Sequence, residues 1–193
     1  MRLEELHGDV ALEVPGTARY QVDEAIRHAV RVFFTRSRAW REVIDPPARI
    51  PPGSNTVEID PPIGTLIVEP VRLELDGTLL QSEDYTAEAD SVVGGAVIRF
   101  PAGVRGHRLT GEVAVTLDGR NESLPDKVAR EFRDAIVHGA LARLMRIPQT
   151  PWFSAELAVA HSVAFDHGID EAATRAANGM KANRTRKVRY GGL

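Results

Sequence analysis

Between Gln21 and Asp45 apolar side chains return every three or four positions. Val22, Ile26, Ala29/Val30, Phe33/Phe34 and Trp40 share one stripe, with Ser37 between them. That period predicts an amphipathic helix over about 21–43. Asp23 and Glu24 lie near its start, where the helix dipole favours negative charge, and Asp45-Pro46-Pro47 closes it because proline cannot continue the hydrogen-bond ladder. Upstream, Pro15-Gly16 reads as a turn that separates a short N-terminal element from this helix.

The period then shortens to two. "NTVEIDPP", "TLIVEPVRLELDGTLL", "AVIRFP" and "LTGEVAVTLDG" are short β-branched runs punctuated by Pro-Pro, Asp-Gly and Gly-Gly. "VRLELDGTLL" predicts a hairpin, since Asp76-Gly77 supplies the positive φ angles of a type I′ turn, and Gly94-Gly95 suits a second turn. Pro70 predicts an edge position or a strand break.

Helical spacing returns in "SLPDKVAREFRDAIVHGALARLMRIP". Ser123 is a candidate N-cap, and Pro125 and Asp126 suit a first turn. Val128, Phe132, Ala135/Ile136, Gly139/Ala140 and Arg143/Leu144 form a face on which Gly139 and Ala140 permit close approach of another helix. After "IPQTPWF" a third helix is expected over about 154–177, with Leu157, Ala160/His161, Ala164/Phe165, Gly168/Ile169 and Ala172/Ala173 inward and Gly179 as its C′ residue. The expected fold is therefore α+β. A helical bundle body of about three main helices (1–45 and 120–179) carries an inserted antiparallel β-sandwich or barrel module (46–119) and an extended basic C-terminal arm (180–193).

Composition sharpens the last of these. The chain has 193 residues and a net charge of −3, yet from Ala172 onward there are six basic residues and no Asp or Glu, which leaves the preceding chain at −9. A tail so different from its body is expected to meet something acidic, either nucleic acid or a protein surface. With hydrophobic residues at 43% and charged residues at 26%, a core can form. There is no cysteine, hence no disulfide framework and no thiolate metal site. The N-terminal "MRLEELHGDV" lacks the apolar stretch of a signal peptide, and no run approaches the roughly 20 apolar residues of a membrane span. A soluble cytoplasmic protein with no membrane partner is the expectation.

Catalytic signatures are missing: there is no Walker loop, no G-x-S-x-G, no H-E-x-x-H and no G-x-G-x-x-G. His7, His28, His107, His138, His161 and His167 are scattered, and His161 and His167, six apart, point to different faces of one helix. Neither an enzyme nor a cofactor or metal is called for. Two features stand apart. In "FFTRSRAWRE", Phe33 and Trp40 read as core with Arg36, Arg38 and Arg41 solvated. In the tail, "RTRKVRY" sets Thr185, Lys187 and Arg189 on one side of an extended chain and Arg186, Val188 and Tyr190 on the other, so it is either a plain disordered tail or a strand that adds to another chain's sheet edge.

The order "VDEAIRHAVRVFFTRSRAWRE", then "DGTLLQSEDYT", "LPDKVAREFRDAIVHGALARLMRIPQTPW" and "AFDHGIDEAATRAANG" resembles the head-to-tail adaptor (connector) proteins of tailed bacteriophages over most of the chain; the "RSRAW" close and the "GALARLM…P…PW" turn are its most telling parts. The resemblance implies a structural virion protein, made in the host cytoplasm and placed in the neck. A ring of twelve subunits would sit beneath the portal protein, meet a stopper or tail protein on its other side, and pass genomic DNA without sequence-specific binding. It also implies a portal-docking arm formed by Arg184, Thr185, Arg186, Lys187, Val188, Arg189, Tyr190 and Leu193. These adaptors vary in whether they carry a β insertion, so the β module could face a tail or decoration protein. The alternatives are a stopper or tail-completion protein, and a nucleic-acid-binding protein that uses the basic tail.

Overall fold

A computed structural model describes residues 1–90, 94–102, 107–119, 121 and 123–179. Among these, five helices and eight strands form, in the order α1 (Glu4–Glu13), α2 (Arg19–Ser37), β1 (Arg41–Val43), β2 (Ala48–Arg49), β3 (Thr56–Ile59), β4 (Thr65–Leu75), β5 (Thr78–Leu79), β6 (Thr86–Ala89), β7 (Ala96–Arg99), β8 (Arg108–Leu117), α3 (Asp126–Glu131), α4 (Arg133–Leu144) and α5 (Ala155–Gly179). The expected arm at 180–193 lies outside the described residues.

The class is α+β, but the body is not a bundle of about three main helices. The N-terminal element is a helix in its own right, α1, whose Leu6 and Val10 are buried. The helix expected in "SLPDKVAREFRDAIVHGALARLMRIP" is two helices, because Phe132 leaves helical geometry (φ −114°, ψ 14°). Its ring lies 5.1 Å from that of Phe33 and 6.1 Å from that of Phe34, and this aromatic packing competes with a continuous ladder. Ser123 forms an isolated bridge with Arg2, while the N-cap position of α3 falls to Pro125.

The expected helix over 21–43 begins slightly earlier and ends sooner. Arg38 takes a left-handed conformation (φ 54°) and its N–H closes on the Phe34 carbonyl, so α2 stops at Ser37. The next residues turn into β1, which pairs antiparallel with β8 through Arg41↔Ala114 and Val43↔Glu112. Trp40, 3% exposed, sits in the bend, stacks edge-on against Phe34 at 5.6 Å, and donates its indole N–H to Glu42 at 2.6 Å. Sheet pairing and aromatic burial together outweigh the six further residues of helix expected over 38–43.

The strands form two antiparallel sheets, one curled and five-stranded in the order β1-β8-β4-β5 with β2 also on β8, the other three-stranded in the order β3-β7-β6. The Asp76-Gly77 turn forms as its residues predict, with φ of 49° and 83°. Pro70 does not break its strand: β4 continues through two register shifts, between Ile67 and Glu69 and between Pro70 and Arg72. Opposite the second shift, a Cβ on Gly111 would stand 2.0 Å from the Arg72 carbonyl oxygen, so the backbones meet where only glycine fits.

β8 ties helices to sheets. Val113, Ala114, Val115, Thr116 and Leu117 are all buried, so both faces of this half-strand are covered. Thr116 donates its hydroxyl to the Arg31 carbonyl of α2 at 3.3 Å, which places that face against the helix. A single apolar core then runs from Leu6 and Val10 through Phe33 and Phe34 to Leu73, Ile98, Val115 and Ile169.

Candidate functional site

Three helices converge on one groove. From α2, the one-turn steps His28, Val32 and Arg36 line it; α4 contributes Gly139, Ala142, Arg143 and, just past its end, Arg146; α5 contributes Ser162, Phe165 and Asp166. The groove encloses about 620 Å³. Ala29, Val32, Gly139, Ala142 and Phe165 give it apolar lining, and Gly139 lets the helices close: a Cβ there would lie 2.6 Å from the Phe165 ring and 3.0 Å from the Ala29 methyl. A reciprocal contact lies one step along, where Gly168 faces the Ala135 methyl.

The rim is cationic although the body is acidic. Arg36 is joined to Asp166 at 2.6 Å, a half-exposed pair worth about 0.2–1 kcal/mol. Arg143 and Arg146 are exposed and have no acidic partner among the described residues. The Arg143 charge is felt nearby: burial first, and then the Arg143 and Arg31 charges, lower the His28 pKa from its ordinary 6.5, against the pull of Glu24.

The arginines of "RSRAW" are engaged within the chain. Besides Arg36, Arg38 meets Glu69 at 2.8 Å and Arg41 donates to the Arg38 carbonyl at 3.5 Å, while Phe33 and Trp40 are core as expected. Tyr85 lines a different cleft, of about 690 Å³, with Arg41, Arg72, Leu80 and Glu112; Arg72 is committed to Glu74 at 2.6 Å. Arg184, Thr185, Arg186, Lys187, Val188, Arg189, Tyr190 and Leu193 lie outside the described residues, and α5 carries the chain to their threshold at Gly179.

One constellation could not be read from spacing. His138 of α4 and His161 of α5 bring their Nδ1 atoms to 2.8 Å, so one ring donates and the other accepts. No group of three or more His, Cys, Asp or Glu among the described residues is arranged to hold a metal ion. Burial first, and then the charge of His138, lower the His161 pKa from 6.5, while Glu13 pulls the other way. The unfolded chain therefore takes up this proton more readily than the native one. Stability is full above about 6.5 and is lost as pH falls through the folded value. Urea unfolding at pH 7.5 and pH 5.5 is expected to give a lower midpoint in acid, with a smaller difference in His161→Gln; equal differences would remove this pair from the acid response.

No protein-family model matches the chain, and comparison with curated proteins finds no similar sequence. Among the described residues, no helix is long and apolar enough to cross a membrane.

Proposed function

We propose that this chain is a head-to-tail adaptor of a tailed bacteriophage: a structural, non-enzymatic ring subunit in the virion neck that docks on the portal through its C-terminal arm and continues the DNA channel towards the tail. The observation that carries the reading is the polarity of the chain. Residues 1–179, at −8, hand over at the end of the 25-residue helix α5 to residues 180–193, with five basic and no acidic residues. An arm that orders on a partner loses entropy but gains main-chain and charge contacts over a long surface. Repeated around a ring, weak arm contacts become strong attachment. An acidic body suits a conduit that must release its DNA, because a basic lining would hold phosphates.

The test is capture of the portal ring encoded by the same genome, by full-length protein and by protein truncated after Gly179, at low and moderate salt. Capture that needs residues 180–193 and survives moderate salt is the expected result. Equal capture by both would move the contact to the body. No capture, with salt-sensitive DNA binding by the tail instead, would overturn the adaptor reading.

A further inference from the structure

Two surface features each lack what the other has. The turn between β3 and β4, Asp60-Pro61-Pro62-Ile63-Gly64, displays Ile63 at 102% exposure, the highest among the large apolar side chains described. The turn is braced from both sides. Thr65 donates its N–H (3.0 Å) and its hydroxyl (2.7 Å) to the Pro62 carbonyl, and the Gly64 carbonyl accepts the Asp118 N–H (3.1 Å) and the Asn121 side-chain amide (3.3 Å). Two prolines fix their own φ angles. An apolar side chain carried on a braced backbone spares binding the cost of ordering that backbone. Within five residues before it along the chain come Glu58 and Asp60, both exposed and without a cationic partner among the described residues.

The groove between α2, α4 and α5 is the complement. It is lined by Ala29, Val32 and Phe165, and by two exposed guanidinium groups, Arg143 and Arg146, without acidic partners among the described residues. We propose that Ile63 of one copy seats in the α2/α4/α5 groove of the next copy, with Glu58 and Asp60 set against Arg143 and Arg146. This rests on the ring reading given above and supplies it with an interface. The two surfaces are different patches of one chain, so the contact is head-to-tail and repeats, closing into a ring where the rotation allows. Opposite charges at the rim set the register and disfavour other approaches, while the buried isoleucine anchors the contact.

The absence of cysteine makes the test clean. Full-length protein carrying both Ile63→Cys and Ser162→Cys, mildly oxidised, is expected to give a ladder of disulfide-linked trimers and larger species on non-reducing gels. Each single variant can give no more than dimers. Adding Arg143→Glu and Arg146→Glu to the double-cysteine protein is expected to cut the species above dimer at least tenfold, with an unchanged circular dichroism spectrum and melting temperature. A double-cysteine protein that stops at dimers, or a ladder indifferent to the charge reversal, would overturn the contact. Portal capture is read separately. Capture without a ladder sinks this contact and keeps the adaptor, whereas a ladder without capture keeps the contact and sinks the adaptor.

Discussion

Replacing Phe33 by alanine lowers the unfolding free energy by about 3–5 kcal/mol, the usual cost of deleting a buried phenylalanine. Phe33 is fully buried, and its ring lies 5.2 Å from that of Phe34, 5.1 Å from that of Phe132 and 6.0 Å from that of Phe165. It therefore joins α2 to the break between α3 and α4 and to α5 in one cluster. The cavity left by alanine would be walled by three helices already in contact elsewhere, so little collapse can refill it. Against a total of about 5–15 kcal/mol, such a loss brings the chain to the edge of folding. Urea denaturation of the two proteins measures it; a shift below about 1 kcal/mol would show that the cluster repacks freely. Phe33→Leu retains most of the volume and is expected to lose much less.

Gly139→Leu is the second large effect, expected near 3 kcal/mol, the upper end of what overpacking usually costs. Its sign is decided by two opposing terms. Leucine in place of glycine inside a helix gains about 0.8–1 kcal/mol of intrinsic propensity. Against this, even the first carbon would fall 2.6 Å from the Phe165 ring and 3.0 Å from the Ala29 methyl. Neither neighbour can yield cheaply, since Phe165 is 8% exposed and Ala29 1%. The clash wins, α4 is pushed away from α2 and α5, and the groove between them is reshaped. Thermal melting reads the effect, and an unchanged or raised melting temperature would contradict the close approach.

Which features were legible in the sequence follows from how far apart their causes lie. The body of α2 follows from a stripe of apolar residues whose burial is settled within the helix, and the Asp76-Gly77 turn from two residues that need positive φ. Gly139 as a point of close approach was also legible, because small residues on an apolar face have few other uses. The end of α2 was not, since Arg38 is an ordinary helix former, yet it adopts φ 54° just before β1 pairs with β8. The break at Phe132 depends on rings contributed by α2, about 100 residues earlier in the chain. Treating the helices as a bundle missed that α2 has a strand, β8, as one of its packing partners. The groove is opaque to sequence for the same reason, as His28, Arg143 and Asp166 become neighbours only after three helices pack. A proline pair marked the turn before Ile63, but nothing in the pattern says that this isoleucine stays in water.

The position of β8 also orders the life of the chain on the ribosome. This strand pairs with β1, β2 and β4 and closes the sheet-facing side of α2, yet it is completed only at Leu117. Until then α2 has emerged with its sheet-facing side uncovered, and β1 and β4 have emerged without their β8 partner. A nascent chain in that state is sticky, and its contacts are too distant in sequence to form early. Fragments that stop short of 117 should therefore be recovered in aggregates or bound to chaperones, and the aromatic cluster around Phe33 closes only when Phe132 and Phe165 follow.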